Sequence, residues 1–191
     1  MTDNDEIIKQ RALKMLSEKR LVHTEGVRKT ARELCEIYGA DAGKADLAVC
    51  CHDIFRGRQS DELDELIDKY GIPERYKGNA NLSHGKIAAA VMEKEFGIKD
   101  RQIIDAVSYH TTGRAGMSLL EKIVFLADAI EPGRDYPLVG RLRELSVTDL
   151  DRACLESLEG TVSFLKQQGV RDIDRDTLMA RDWLAEKINT V

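Results

Sequence analysis

Apolar residues recur along this chain at intervals of three and four. Over residues 5–18 the stripe is Ile7, Ile8, Leu13 and Leu16, and over residues 24–38 it is Val27, Ala31, Leu34 and Ile37. That spacing places each set on one side of a 3.6-residue helix. Gly39 is a stop signal for the second helix, and Asp41 is placed to cap the next, whose apolar run over 45–51 leads straight into His52-Asp53. Further helices are predicted over 61–69, 83–96, 100–109, 118–131, 148–166 and 176–189. No stretch alternates with the two-residue period of a strand. The pattern therefore predicts an all-α protein, a compact bundle of roughly nine helices.

The breaks between helices collect Gly, Pro and Arg: Arg56-Gly57-Arg58, Gly71-Ile72-Pro73, Gly113-Arg114-Ala115-Gly116 and residues 132–137. No internal repeat or long linker interrupts the pattern, so one domain over 1–191 is expected. With 191 residues, 42% of them hydrophobic, the chain can bury a sizeable core. The longest apolar runs, near 47–51 and 123–130, are too short to span a bilayer. The polar, acidic N-terminus does not read as a signal peptide, and a cytoplasmic protein is expected. Cys35, Cys50, Cys51 and Cys154 form no C-x-x-C pair and read as buried, reduced thiols.

Net charge of −5 argues against a nucleic-acid-coating face. If the ligand is a phosphate compound, its positive partners must be local, either metals or a few arginines. Four histidines, His23, His52, His84 and His110, each fall near a predicted helix end, where several helices can aim side chains into one cleft. A lone histidine there is more often a cap or a surface residue, and the His-Asp dipeptide alone says little. Asp128 changes that weighting. It lies in the apolar run 123–130, where an unpaired carboxylate is costly to bury, and the next cation along the chain is Arg134. His23, His52, Asp53 and Asp128 make a mixed nitrogen and oxygen set suited to iron, manganese or zinc. With Asp53 shared, His84 and His110 complete a second site. Two metals sharing a hydroxide are a known device for cleaving phosphate esters and anhydrides.

The ordered set His … His-Asp … Asp resembles the signature of the HD superfamily of metal-dependent phosphohydrolases. The resemblance is closest to the YqeK family of symmetrical dinucleoside-tetraphosphatases. It is carried by HTEGVRKTARELCEIYGAD from His23, KADLAVCCHDI from Lys44, SHGKIAA from Ser83, AVSYHTTGRAGMSLLEKIVFLADAIEPGRDY from Ala106 and DIDRDTLMARD from Asp172. It spans about residues 20–188, with an HD core near 20–135 and helices over 148–189 packed on it. The chain departs from the family pattern at Phe55-Arg56 and at Arg181-Asp182. The resemblance implies metal ligands at His23, His52, Asp53, His84, His110 and Asp128, with Asp53 and Asp128 central to catalysis. It implies two iron ions, diadenosine tetraphosphate as substrate and ADP as product.

Arg56 and Arg134 are the expected phosphate clamps, since a planar guanidinium fork matches phosphate oxygens. Arg58 and Arg114 read instead as surface residues. Thr111 is a further candidate for phosphate contact, and the polar segment Arg171, Asp172, Ile173, Asp174, Arg175, Asp176 for base or ribose. A small-molecule nucleotide partner is expected, with no nucleic acid and no membrane, and a homodimer is compatible with the chain. Other readings are an HD hydrolase of a guanosine alarmone, a deoxynucleoside triphosphate or a cyclic dinucleotide, or a non-catalytic metal- and nucleotide-binding module.

Overall fold

In the computed structural model, which describes residues 3–190, the order is α1 (Asp3–Lys14), α2 (Glu18–Tyr38), α3 (Ala42–Cys51), α4 (Ser60–Tyr70), a 3₁₀ turn (Glu74–Tyr76) and α5 (Ala80–Lys94). Then follow α6 (Arg101–Tyr109), α7 (Leu119–Ile130), α8 (Val139–Ser146), α9 (Leu150–Gln167) and α10 (Arg175–Asn189). No strand occurs among the described residues. Helix ends follow local chemistry. Gly39 takes the left-handed conformation, φ 68°, that closes α2, and Asp41 accepts from the amides of Gly43 and Lys44 to open α3.

Helix α7 is the centre of the bundle. Every residue from Leu120 to Ala127 is buried, including the charged Glu121 and Lys122, which pair with Arg114 and Asp151. A reciprocal Ser118–Glu121 capping box fixes its start. Around it pack α2, α6 and α9, while α3 lies against α2 and α6, α5 against α6, and α10 against α9. The Lys9 and Arg28 side chains both reach Asp46, tying α1 and α2 to α3.

Two sequence expectations need correction. The break near residue 15 comes earlier than the apolar stripe suggests, because Ser17 caps a helix that starts at Glu18. Asn79 likewise starts α5 at Ala80. His23 and His84 therefore sit in the second turn of their helices rather than opening them. The short helix α8 has no counterpart among the roughly nine predicted, since the Gly- and Pro-rich run before it masks its pattern. Its Arg143 donates to the carbonyls of Ile130, Glu131 and Arg134, which locks the turn after α7. All four cysteines are free and buried. No described helix is long and apolar enough to cross a membrane.

Candidate metal centre

Five elements converge at one end of the bundle. His23 comes from α2, His52 caps the C-terminus of α3 with Asp53 next to it, His84 comes from α5, His110 caps α6, and Asp128 lies in the last turn of α7. All four histidines and Asp53 are buried, His52 to 1% exposure. Close approach of α5 and α6 depends on Gly85, since a Cβ there would lie 2.8 Å from Cε1 of His110 and 3.0 Å from the Val107 carbonyl.

Each imidazole is held from behind. Nδ1 of His52 lies 2.6 Å from the Val49 carbonyl, that of His84 3.0 Å from Ala80 and that of His110 2.8 Å from Val107. Nδ1 of His23 lies 3.1 Å from Oε1 of Glu131. An N–H donated at Nδ1 assigns the proton there and leaves the Nε2 lone pair facing inward, the tautomer a metal needs. Nε2 of His84 and Nε2 of His110 then face each other at 3.0 Å, two acceptors that repel without a cation beside them. Nε2 of His52 is buried without a hydrogen-bond partner. Nε2 of His23 lies 2.9 Å from Oδ1 of Asp128 without the alignment of a hydrogen bond. These inward, unsatisfied nitrogens fit metal ions.

Asp53 stands between the two halves. Its Oδ2 lies 3.7 Å from Nε2 of His23 and 3.6 Å from that of His52, while Oδ1 lies 3.2 Å from His84 and 4.0 Å from His110. Two groups able to hold a metal result, His23–His52–Asp53 and Asp53–His84–His110. Asp128 flanks the first through His23 and His52. Burial alone would raise the pKa of Asp53, but the rings of His52, His84 and His110 outweigh it and hold it well below the carboxylate range. Burial acts the same way on Asp128, and there His23, His52 and Arg134 prevail. His110 is pushed down to about 3, by burial first and then by its neighbours His84 and His52, so its ring is neutral at neutral pH.

Cationic residues line the mouth. Nη2 of Arg134 donates to Oδ1 of Asp128 at 2.7 Å, and its Nε to the Asp128 carbonyl at 2.8 Å. Arg56 bonds Asn81 and lines a groove with Arg20. Thr111 Oγ1 lies 3.1 Å from Nε2 of His110. The exposed Arg58 pairs with Glu62, and Arg114, half-buried, pairs with the buried Glu121. In the segment 171–176, Ile173 is buried and Arg171, Asp172 and Arg175 are exposed. Asp174 caps α10, and Asp176 is anchored by Tyr76, Arg75 and Lys86.

Four residues escaped the sequence reading. Arg20 donates to Oδ2 of Asp53 at 2.8 Å, and Glu131 orients His23. Both carry a helical signal, since Arg20 precedes His23 and Glu131 follows Asp128 by three residues, one turn away. Gly26 makes room for Glu131, because a Cβ there would fall 2.6 Å from its Oε2. Lys86 is buried with Nζ 3.4 Å from the Tyr109 ring centre, and burial pushes its pKa down to about 8. Nothing in its sequence neighbourhood announces that setting.

A family model for the HD domain matches residues 20–133. The chain is 39% identical over 170 residues to a symmetrical bis(5'-nucleosyl)-tetraphosphatase of Bacillus subtilis strain 168, covering 88% of this chain and 91% of that one. It is 42% identical over 164 residues to a protein of the same name from Halalkalibacterium halodurans, covering 85% and 87%. A crystal structure of a predicted HD superfamily hydrolase involved in NAD metabolism from Clostridium acetobutylicum is similar at a TM-score of 0.88 and 35% identity, over 95% of this chain and 97% of that one.

Proposed function

This chain belongs to the HD-domain family and, within it, to the symmetrical bis(5'-nucleosyl)-tetraphosphatases, and from that premise we propose how its residues hydrolyse diadenosine tetraphosphate to two ADP. The observation that carries the reading is the convergence of four histidines, each pinned at Nδ1, on the two oxygens of Asp53. His23, His52, Asp53 and Asp128 would hold one metal, and Asp53, His84 and His110 the other. Iron is the metal we assign, with manganese the nearest substitute for this donor set. Bound there, such ions acidify water and neutralise phosphoryl oxygens.

The protein's own groups do the rest. Arg134, Arg56 and Arg20 face the tetraphosphate bridge and offset its charge within a molecule that is acidic as a whole. On substrate binding, Arg134 can keep Nε on the Asp128 carbonyl and turn Nη2 to a phosphate oxygen. Thr111 adds a hydroxyl at the His110 side. Residues 171–176 receive one nucleoside, on a segment anchored through Asp176. The relatives' symmetrical cleavage assigns attack to the second phosphorus from one nucleoside, so that the other half leaves as ADP. Four free, buried thiols support a reducing, cytoplasmic setting.

Turnover of diadenosine tetraphosphate in oxygen-18 water tests the reading. ADP is expected as the sole nucleotide, with label in half of it. ATP plus AMP would mean attack at a different phosphorus. Pyrophosphate or tripolyphosphate released from other nucleotides, with diadenosine tetraphosphate untouched, would assign another HD hydrolase.

A further inference from the structure

A groove of about 600 Å³ opens beside the metal centre, between the turn after α7 and the C-terminal half of α9. None of residues 171–176 lines it. We infer that this groove is a second nucleoside subsite, which takes one adenosine of the dinucleoside tetraphosphate while residues 171–176 receive the other. The inference rests on the tetraphosphatase reading above.

Continuity comes first. Arg134 lines the groove and also donates to Asp128 at 2.7 Å, so a phosphate chain leaving the metal centre meets the same guanidinium at the groove's entrance. The volume falls in the range of small-molecule sites. The chemistry of the walls matches a purine nucleoside, which has two apolar faces and a polar edge. Phe164 leaves 59% of its surface exposed at the groove, a large aromatic that the core does not use. Tyr136 stands across the groove with its hydroxyl donated to the Ala129 carbonyl at 2.9 Å, which fixes the ring. Aromatic faces stack on any base. Gln167 also lines the groove and brings an amide able to donate and accept at a base edge.

Gly160 explains how the groove is built. A Cβ there would lie 2.8 Å from Cδ2 of Leu138, so the glycine lets α9 lie close over the turn and makes Leu138 a wall of the groove. The tetraphosphate has a nucleoside at each end and its bridge lies over the metals, so a second subsite reached through a phosphate-binding arginine is what the substrate's own symmetry requires.

Comparing two substrates tests this. Diadenosine tetraphosphate carries two nucleosides and adenosine 5'-tetraphosphate only one. Phe164→Ser, at an exposed position, is expected to keep the wild-type melting temperature. It should raise KM for diadenosine tetraphosphate about tenfold, and leave adenosine tetraphosphate within about twofold of wild type. Gln167→Ala should act in the same direction more weakly. Calorimetry with the analogue bearing a central methylene bridge should give the same loss of affinity independently of turnover. Equal effects on both substrates, or none, overturn the subsite. A shift in sedimentation with unchanged KM also overturns it and makes the groove a contact between two copies of the chain. If the wild type leaves both tetraphosphates intact and does not bind the analogue, the tetraphosphatase reading fails as well. Turnover untouched by Phe164→Ser defeats the groove alone.

Discussion

Asp53 offers one carboxylate oxygen to each pair of histidines, so in the proposed centre a single side chain would couple two sites. Asp53→Ala is therefore expected to abolish binding at both. Metal analysis of protein purified without chelators should fall from about two ions per chain to near zero, with activity lost in parallel. A variant that keeps one ion would show that the sites are independent. Glu131 acts one step further out. It accepts from Nδ1 of His23 and from the Gly133 amide at 2.5 Å, and so fixes both the ring of His23, a proposed ligand, and the turn that carries Arg134. Glu131→Gln should weaken the metal at the His23 side by about 10–100-fold while the His84–His110 side still loads, as read by metal titration. Equal weakening of both sites would remove Glu131 from this role.

Between elements, the decisive quantity is how closely two helices approach. Gly85→Ala would favour an isolated helix by about 1 kcal/mol. Here the added methyl meets the His110 ring and the Val107 backbone, which forces α5 off α6. The net expectation is a loss of about 1–3 kcal/mol in urea denaturation, with weaker binding at the His84–His110 site. The Lys9–Asp46–Arg28 cluster behaves differently. Burial would raise the Asp46 pKa, but Arg28 and Lys9 hold it below the ordinary value. A depressed carboxylate stabilises the fold above its unfolded pKa of about 3.9 and loses that contribution as pH falls further. Asp46→Asn should thus cost about 1–3 kcal/mol at pH 7. The gap from wild type should close as the pH drops below about 3.9, and a gap that persisted there would exclude the ionised carboxylate as its cause.

For the whole molecule, four inward imidazoles and two carboxylates make an end of the bundle that a bound cation completes. Ligands that bind only the native state stabilise it by mass action. Stripping metal with a chelator should lower the melting temperature by about 5–10 °C for a chain of this size at near-saturating metal, and readdition should restore it. An unchanged melting curve would mean that the centre forms without contributing to stability. The molecule is acidic overall, with a cationic mouth, so attraction of a polyanion depends on local charge. Raising ionic strength should increase KM for the tetraphosphate with less effect on kcat.

Helices could be read from the chain because their signal is local: one apolar stripe, one cap and one stop lie within a few turns. The Ala45–Cys51 run ending at His52-Asp53 and the costly Asp128 in an apolar helix could be read for the same reason, since burial cost attaches to the residue itself. Helix α8 was hidden because its apolar stripe, Val139, Leu142 and Leu145, spans only eight residues directly after a Gly- and Pro-rich turn, too short a run for a helical period to stand out. Which oxygen of Asp53 meets which ring, which carbonyl pins each Nδ1, and where Arg20 and Glu131 reach depend on helices far apart in sequence crossing at a given distance. So does the groove between Leu138 and Phe164. Periodicity determines which face of a helix is buried, but only packing decides what that face meets, because contact distances between helices are set by side chains from both.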